Sequence, residues 1–147
     1  MSGAGEGPAA PARQTLETPS PVVLDTSALI AVLLSEPVGA ACASILKSDA
    51  RLLISAGTLA EALIVAGNRG VREEMALLVA EGGVEVIPVS AAAAARVAEA
   101  YATWGKGKHP AGLNFGDCFA YALARETRSP LLYVGDDFSK TDVVSAV

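Results

Sequence analysis

The residues of this chain whose types and spacing could do chemistry are acidic. Asp25 follows the apolar run 22–24 directly and precedes another apolar stretch, 28–34. A lone carboxylate between a buried strand and an apolar helix costs several kcal/mol unless something offsets its charge. The group that compensates Asp25 must therefore come from elsewhere in the chain.

Further acids stand near the expected ends of strands and starts of helices. They are Glu61, Asp117, Asp136 and Asp137. No basic residue lies beside Asp25, Glu61 or Asp117 in sequence. Two carboxylates ~4 Å apart repel by about 4 kcal/mol at an effective dielectric of 20, so a cluster raises its pKa values or binds cations. Hard oxygen ligands select Mg²⁺ or Mn²⁺, and such ions assist phosphodiester hydrolysis.

Two of these acids also have a structural interpretation. Glu61 follows Thr58 by three residues, and Asp117 follows Asn114 by three. Both spacings are typical of helix N-terminal capping, which the helix dipole favours as well. Capping and catalysis remain alternatives for Glu61 and Asp117 at this point.

The remaining acids differ in how well a structural role explains them. Asp136 and Asp137 follow a glycine and have the composition of an ordinary turn. Asp25 is explained less well by capping, because Thr26 and Ser27 already offer cap oxygens to the helix that follows. We therefore expect Asp25 to have a functional role.

Short β-branched runs alternate with longer helical ones along the chain. We predict strands at 22–24, 51–54, 84–89 and 131–134, and helices at 26–36, 38–47, 59–66, 71–80, 90–104 and 115–126. Strands interleaved with helices predict βαβ units and a parallel sheet covered by helices. Ligands bind beyond the carboxyl ends of such strands, where the acids fall.

The length and composition of the chain limit its possible domain organisation. The chain has 147 residues, enough for one domain at 21–147, and residues 1–20 are rich in Gly, Ala and Pro. We expect residues 1–20 to be a flexible N-terminal tail, because they have no apolar segment of the kind that a secretory signal needs. No apolar run approaches the ~18 residues of a membrane span, so we expect no membrane contact.

Charge and cysteine content add two further expectations. The net charge of −5 argues against an overall basic coat for nucleic acid, although it leaves local patches open. Cys42 and Cys118 are far apart and form no metal or disulfide motif. A reducing, cytoplasmic location suits them.

Four segments together resemble a known family. They are VVLDTSALIAVLLSEP, TLAEALIV, KGKHPAGLNFGDCFAYALA and PLLYVGDDFSKTDV. In this order they resemble the PIN domain and, more narrowly, the VapC-type toxins of bacterial type II toxin–antitoxin pairs. The resemblance implies a PIN-like α/β fold, a three-layer α/β/α sandwich with a central parallel sheet of about four to five strands.

The same resemblance implies a function and partners. It implies an endoribonuclease that depends on Mg²⁺ or Mn²⁺ and hydrolyses RNA phosphodiester bonds. A cognate small antitoxin would inhibit it, and the chain would form a homodimer.

The family's acidic positions can be carried over residue by residue. Asp25, Glu61 and Asp117 match the acidic triad, with Asp25 and Asp117 as the direct metal ligands. Glu61 would hold a second metal or orient the attacking water. For the fourth acid we favour Asp137 over Asp136, because Asp137 adjoins the aromatic residue of the motif.

Other site residues follow from the same motifs. Thr26 and Ser27 match the DTS step, where a hydroxyl would hydrogen-bond a water on the metal or Asp25, unless it only caps the helix. Asn114 would orient Asp117 or bind RNA, with helix capping as the alternative. Lys106 and Lys108 lie in the compact cationic loop and are candidates for contacts with RNA phosphates.

Other chemistries are less favoured by the residues. His109 sits in a glycine-rich loop beside proline, a poor place for a general acid or base. Cys118 lacks a nearby base and is expected to be a buried packing residue. A haloacid-dehalogenase-type phosphatase would need an acid where Ser27 stands. A catalytically silent PIN-like module that binds RNA or antitoxin remains the main alternative.

Overall fold

The computed structural model describes residues 20–147, in which four strands and six α-helices are found. The tail predicted for residues 1–20 lies outside the described residues, apart from Ser20. In chain order the elements are β1 (Pro21–Leu24), α1 (Thr26–Leu33), α2 (Gly39–Leu46), β2 (Arg51–Ser55), α3 (Ala56–Asn68), α4 (Arg72–Glu81), β3 (Glu85–Ile87), α5 (Ala91–Trp104), α6 (Phe115–Thr127) and β4 (Leu131–Leu132), followed by one 3₁₀ turn (Phe138–Lys140).

The strands form one parallel sheet in the order β3-β2-β1-β4. Alternate residues of β1 point to opposite faces. Val22 and Leu24 pack in a core with residues of α1 to α4, whereas Val23 packs in a second core with residues of α5 and α6. Helices therefore cover both faces of the sheet, and the predicted three-layer sandwich is confirmed.

Two predicted strands prove shorter at their carboxyl ends. β3 stops before Pro88, which has no N–H to donate to the sheet. β4 stops at Leu132, and the backbone N–H of Val134 is instead donated to the side chain of Ser27. The chain thus leaves the sheet where the acids are expected.

The helices are short connections within the sandwich. The longest, α5, has 14 residues. Across residues 20–147, no helix has the combined length and apolar character needed to cross a membrane. α3 follows the carboxyl end of β2 directly, and α6 packs against β1 and β2.

Candidate active site

Asp25 occupies the junction between β1 and α1. Its backbone N–H is donated to the carbonyl of Leu132 in β4 (3.0 Å). Its side-chain Oδ2 accepts hydrogen bonds from the backbone N–H of Ser27 (3.0 Å) and from Ser27 Oγ (2.6 Å). Asp25 is therefore itself the N-cap of α1, and our prediction that Thr26 or Ser27 provides the cap is wrong. The backbone of Asp25 is extended, whereas Thr26 is already the first helical residue.

The carboxyl group of Asp25 is deeply buried. The residue is 3% exposed, and its second oxygen, Oδ1, is buried without a hydrogen-bond partner among the described residues. Burial raises the pKa of Asp25 to about 6; the Ser27 hydrogen bonds oppose this rise, and the nearby charge of Glu61 adds to it. A buried carboxylate oxygen without a donor is a site where a cation would be stabilised.

Ser27 connects Asp25 to the end of the last strand. Its hydroxyl donates to Asp25 Oδ2 and accepts the backbone N–H of Val134 (3.0 Å). The hydroxyl proton is thereby directed towards the carboxylate. This arrangement fixes the Asp25 side chain and links the carboxyl end of β1 to the chain that follows β4.

Glu61 lies in the second turn of α3 and does not cap that helix. The N-cap of α3 is Ser55, so the capping interpretation of Glu61 is wrong. Instead, Glu61 Oε1 accepts a hydrogen bond from Thr26 Oγ1 (2.8 Å). Its other oxygen, Oε2, lies so close to Gly116 that any side chain at Gly116 would overlap it. Glu61 therefore spans from α1 to the first turn of α6.

Asp117 forms a capping box with Asn114 at the start of α6. Asn114 Oδ1 accepts the backbone N–H of Asp117 (2.8 Å), and Asp117 Oδ2 accepts the backbone N–H of Asn114 (3.0 Å). The predicted cap is thus confirmed. The pKa of Asp117 is nevertheless raised to about 7, mainly by burial; the Asn114 hydrogen bond opposes this rise, and the charges of Asp25, Asp137 and Glu61 add to it.

The two candidate fourth acids behave differently. Asp136 and Asp137 are both exposed and follow Gly135, whose φ of 106° requires glycine. The charge of Asp137 raises the pKa of Asp117, so Asp137 lies close to the acid cluster. Asp136 is not among the charges that act on Asp117.

Four acids from distant parts of the chain therefore share one electrostatic environment. They are Asp25, Glu61, Asp117 and Asp137. Within residues 20–147, no three Asp, Glu, His or Cys side chains form a ready-made metal-binding arrangement. One oxygen of each of Asp25, Glu61 and Asp117 is instead held by a donor of the protein. The orphaned Asp25 Oδ1 and the mutual repulsion of these acids fit a hard divalent cation.

The cationic loop lies next to this cluster in the chain. Lys106 and Lys108 are exposed in the loop that leads into α6, and backbone hydrogen bonds from Lys106 N to Leu113 O (2.9 Å) and from Lys108 N to Gly105 O (2.8 Å) shape the loop. Neither lysine forms an ion pair within the described part of the chain. Both side chains are therefore available to an anionic ligand.

His109 and Cys118 have structural surroundings. His109 Nδ1 accepts the backbone N–H of Ala111 (3.0 Å), and its ring lies edge-on to Trp104 with centroids 4.7 Å apart. Cys118 is fully buried, and burial together with the charge of Asp117 raises the pKa of its thiol to about 11. A thiol in this state is a packing group and not a nucleophile.

One residue important to the cluster escaped the sequence analysis. Gly116 allows Glu61 to approach the backbone of α6, and this role became visible only from the fold. The available signal was a glycine directly before the acid at the start of a helix, where a glycine is not otherwise needed.

Comparisons with known proteins agree with this geometry. Residues 22–144 match the PIN domain family. The chain is 41% identical to ribonuclease VapC30 of Mycobacterium tuberculosis over 128 residues, which cover 84% of this chain and 97% of VapC30. It is 42% identical to ribonuclease VapC28 of the same species over 130 residues, covering 86% of this chain and 98% of VapC28.

Solved structures show the same fold. VapC20 of Mycobacterium tuberculosis, described as a sarcin–ricin loop cleaving toxin, aligns with a TM-score of 0.68 at 18% identity over 85% of this chain and 98% of VapC20. A chain of a toxin–antitoxin complex from Klebsiella pneumoniae aligns with a TM-score of 0.62 at 21% identity, over 85% of this chain and 96% of that chain.

An α/β/α sandwich with acids clustered at the carboxyl edge of its parallel sheet is the arrangement of a phosphodiesterase of the PIN class. The chain belongs to the PIN domain family and, within it, to the VapC ribonuclease toxins of toxin–antitoxin systems. The predicted family, fold and ribonuclease function are thereby confirmed. A silent binding module and a dehalogenase-type phosphatase are no longer favoured.

Proposed function

We propose that this toxin is an endoribonuclease that depends on Mg²⁺ or Mn²⁺, with Asp25 and Asp117 as metal ligands and Glu61 and Asp137 completing the acidic cluster. The observation that carries the proposal is the buried, unpartnered Oδ1 of Asp25 in the field of Glu61. When bound, a divalent cation would polarise a phosphoryl oxygen and stabilise the charge of the leaving oxygen.

The residues of the chain itself position this chemistry. Ser27 and Thr26 hold Asp25 and Glu61 by hydrogen bonds, and Asn114 holds Asp117. Glu61 orients the attacking water through a carboxylate oxygen and accepts its proton. The hydroxyl and amide groups that we considered as substrate ligands thus act first as supports for the acids.

RNA binding requires cations near the acids, since the phosphodiester chain is repelled by carboxylates. Lys106 and Lys108 are exposed in the loop that leads into α6 and can contact the phosphates on either side of the cleaved bond. The exposed side chain of Asn114 offers a further polar group at the same helix start. We assign all three to the RNA-binding surface.

A cognate small antitoxin is the expected protein partner. Two solved structures that share the fold are described as a toxin–antitoxin complex and as VapBC2 from Rickettsia felis bound to promoter DNA. Between α1, α2 and α4 this chain has a mainly apolar cavity of about 270 Å³, which could accept an apolar side chain of an antitoxin helix. A short neighbouring reading frame that suppresses the toxicity of this chain on co-expression would identify the antitoxin.

We also propose that the chain is a homodimer, as the family resemblance implies. Light scattering of the purified protein should give twice the mass of the 14.9 kDa chain. A monomer at micromolar concentration would contradict the dimer without affecting the assignment of the acids.

The nuclease proposal is tested with antitoxin-free protein and RNA. We expect Mg²⁺ to support cleavage and EDTA to abolish it. Asp117→Asn should lower the cleavage rate at least about 100-fold, because removing a metal ligand costs more than the 10–100-fold typical of its outer partners. Asp49→Asn removes the same charge from an exposed residue on the opposite edge of the sheet and should cleave like the parent. EDTA-resistant cleavage, or parental cleavage by Asp117→Asn, would contradict the proposal.

A further inference from the structure

Phe115, the first residue of α6, is unusually exposed for a large apolar side chain. It is 71% exposed, more than any other large hydrophobic residue in the described part of the chain. Single exposed apolar side chains are common on protein surfaces, so exposure alone does not indicate a ligand. The surroundings of Phe115 carry the argument.

The ring of Phe115 is held by the elements that carry the acids. It lies edge-on to Phe119, with ring centroids 4.9 Å apart and an interplanar angle of 83°. Phe119 in turn packs against the first turn of α3, where a Cβ at Gly57 would overlap its ring. Through Phe119, Phe115 is therefore held between α3, which carries Glu61, and α6, which carries Asp117.

The backbone of Phe115 lies one residue from the point where α6 meets Glu61. The next residue, Gly116, contacts Glu61 Oε2, and Asp117 follows it. An RNA whose cleaved phosphodiester lies at Asp117 and Glu61 would bring the base of an adjoining nucleotide to this ring. Single-stranded RNA is recognised by stacking of unpaired bases on aromatic side chains.

The charge of the protein favours such a contact. The net charge is −5 and the site itself is acidic, so the overall charge of the chain does not favour binding of phosphates. Stacking supplies binding energy that does not depend on charge. Asn114 and Asp117 on either side in sequence are polar, and apart from its contact with Phe119 the exposed ring offers a planar surface that suits a base.

We propose that Phe115 stacks on an unpaired base next to the cleaved bond and so selects which nucleotide is presented to the acids. The inference rests on the acid cluster being the nuclease site. Phe115 sets the position of the nucleotide, and the acids carry out hydrolysis.

The test compares parent and variants on two versions of one RNA. The first is an unstructured oligonucleotide that the parent cleaves, and the second carries abasic nucleotides on both sides of the cleaved bond. Phe115→Ala and Phe115→Leu should each lower kcat/KM on the first RNA by about 5- to 100-fold, the range for loss of one stacked base. Phe115→Tyr should retain most of the activity, since it keeps an aromatic face.

The abasic RNA isolates the stacking contact. It should cost the parent a similar factor but cost Phe115→Ala little, because the variant has no stacking left to lose. The control is Val144→Ala, which shortens an apolar side chain that is 68% exposed and lies beyond β4, and it should behave like the parent on both RNAs.

Several results would overturn the assignment. If Phe115→Ala loses the same factor on both RNAs, or if Phe115→Leu cleaves like the parent, the ring does not stack on a base. Phe115 belongs to a protein interface if Phe115→Ala turns a dimer into a monomer or weakens antitoxin binding, while its cleavage rate still falls on the abasic RNA as the parent's does.

A separate measurement distinguishes this inference from the nuclease assignment. Binding of the two RNAs in EDTA is followed by fluorescence anisotropy and requires no cleavage. If the parent cleaves RNA and Phe115→Ala binds and cleaves RNA like the parent, the stacking inference alone fails. If the parent never cleaves RNA, the nuclease site is wrong, and stacking stands only if binding still loses about 5-fold or more in Phe115→Ala.

Discussion

The two sides of the acid cluster are built in opposite ways. On the side of β1, α1 and α3, Asp25 is 3% exposed and Thr26 is buried. Besides the local Asp25–Ser27 bonds, two hydrogen bonds there join residues far apart in sequence, Thr26 to Glu61 and Val134 to Ser27. On the side of α6 and β4, Asp117 is half-buried, Asp137 is exposed, and the Asn114–Asp117 hydrogen bonds are local. We call these the closed side and the open side.

The difference separates two tasks of a nuclease site. The closed side holds a charge where water cannot reach it and fixes that charge with Ser27, so it determines where a cation binds. The open side presents Asp117 together with the exposed residues Asn114 and Phe115, so RNA must approach there. Changes on the closed side should therefore affect stability and metal binding, and changes on the open side should affect RNA.

The largest effect is expected for the charge of Asp25 on stability. The pKa of Asp25 is about 6 in the folded chain against an ordinary value of 3.8, so the folded state binds more protons between these pH values. The free energy of unfolding of the metal-free protein therefore falls as the pH rises from about 4 to 6, by at most about 3 kcal/mol from this group. Asp117, with a pKa of about 7, extends the fall to higher pH, with a smaller weight because solvent screens it.

Asp25→Asn isolates this effect from other titrations. Urea unfolding in EDTA should show the variant gaining stability relative to the parent between about pH 4 and pH 6, with little further change above about pH 7. The same difference for Asp49→Asn should not vary in this way. If the difference in free energy of unfolding between parent and Asp25→Asn is the same at the low and the high end of this pH range, Asp25 is not a buried, unpaired charge.

A smaller effect is expected for the hydroxyl of Ser27. Ser27→Ala removes the hydrogen bond to Asp25 Oδ2 and leaves the backbone N–H of Val134 without its acceptor. We expect a 10- to 100-fold loss in metal affinity and a comparable loss in cleavage, the range for outer partners of metal ligands. Ser27→Thr keeps a hydroxyl and should restore most of both. If Ser27→Ala binds Mn²⁺ like the parent in a calorimetric titration, Ser27 does not position Asp25.

The smallest effect is expected on the open side. Asp137→Asn removes an exposed charge that acts on Asp117, and we expect about a 10-fold loss of kcat/KM, less than for a direct ligand. Asp136→Asn removes the neighbouring charge and serves as the matched control. A larger loss for Asp136→Asn than for Asp137→Asn would reverse the assignment of the fourth acid.

The same contrast explains what the sequence could predict. The Asn114–Asp117 capping box depends on a local spacing of three residues, so sequence analysis finds it. The order of strands and helices and the acids at the carboxyl edge of the sheet likewise follow from periodicity. The capping box of α6 on the open side is therefore as predicted, although β4 is shorter than predicted.

The closed side depends on contacts that no local pattern shows. Ser27 and Val134 are 107 residues apart, and Thr26 and Glu61 are 35 apart. The predicted N-cap of α1 lies one or two residues too late, because Asp, Ser and Thr are all good N-caps and the sequence does not say which backbone stays extended. The fit of Glu61 against Gly116 likewise requires two helices to be in place.

Binding of Mn²⁺ to the metal-free protein, followed by titration calorimetry at about pH 7.5, tests most directly whether the four acids form one cation site. We expect the parent to bind Mn²⁺, with protons released because Asp117 titrates near neutral pH, and we expect Asp25→Asn and Asp117→Asn each to lose most of this binding while Asp49→Asn keeps it. Equal Mn²⁺ binding by all four proteins would contradict the account.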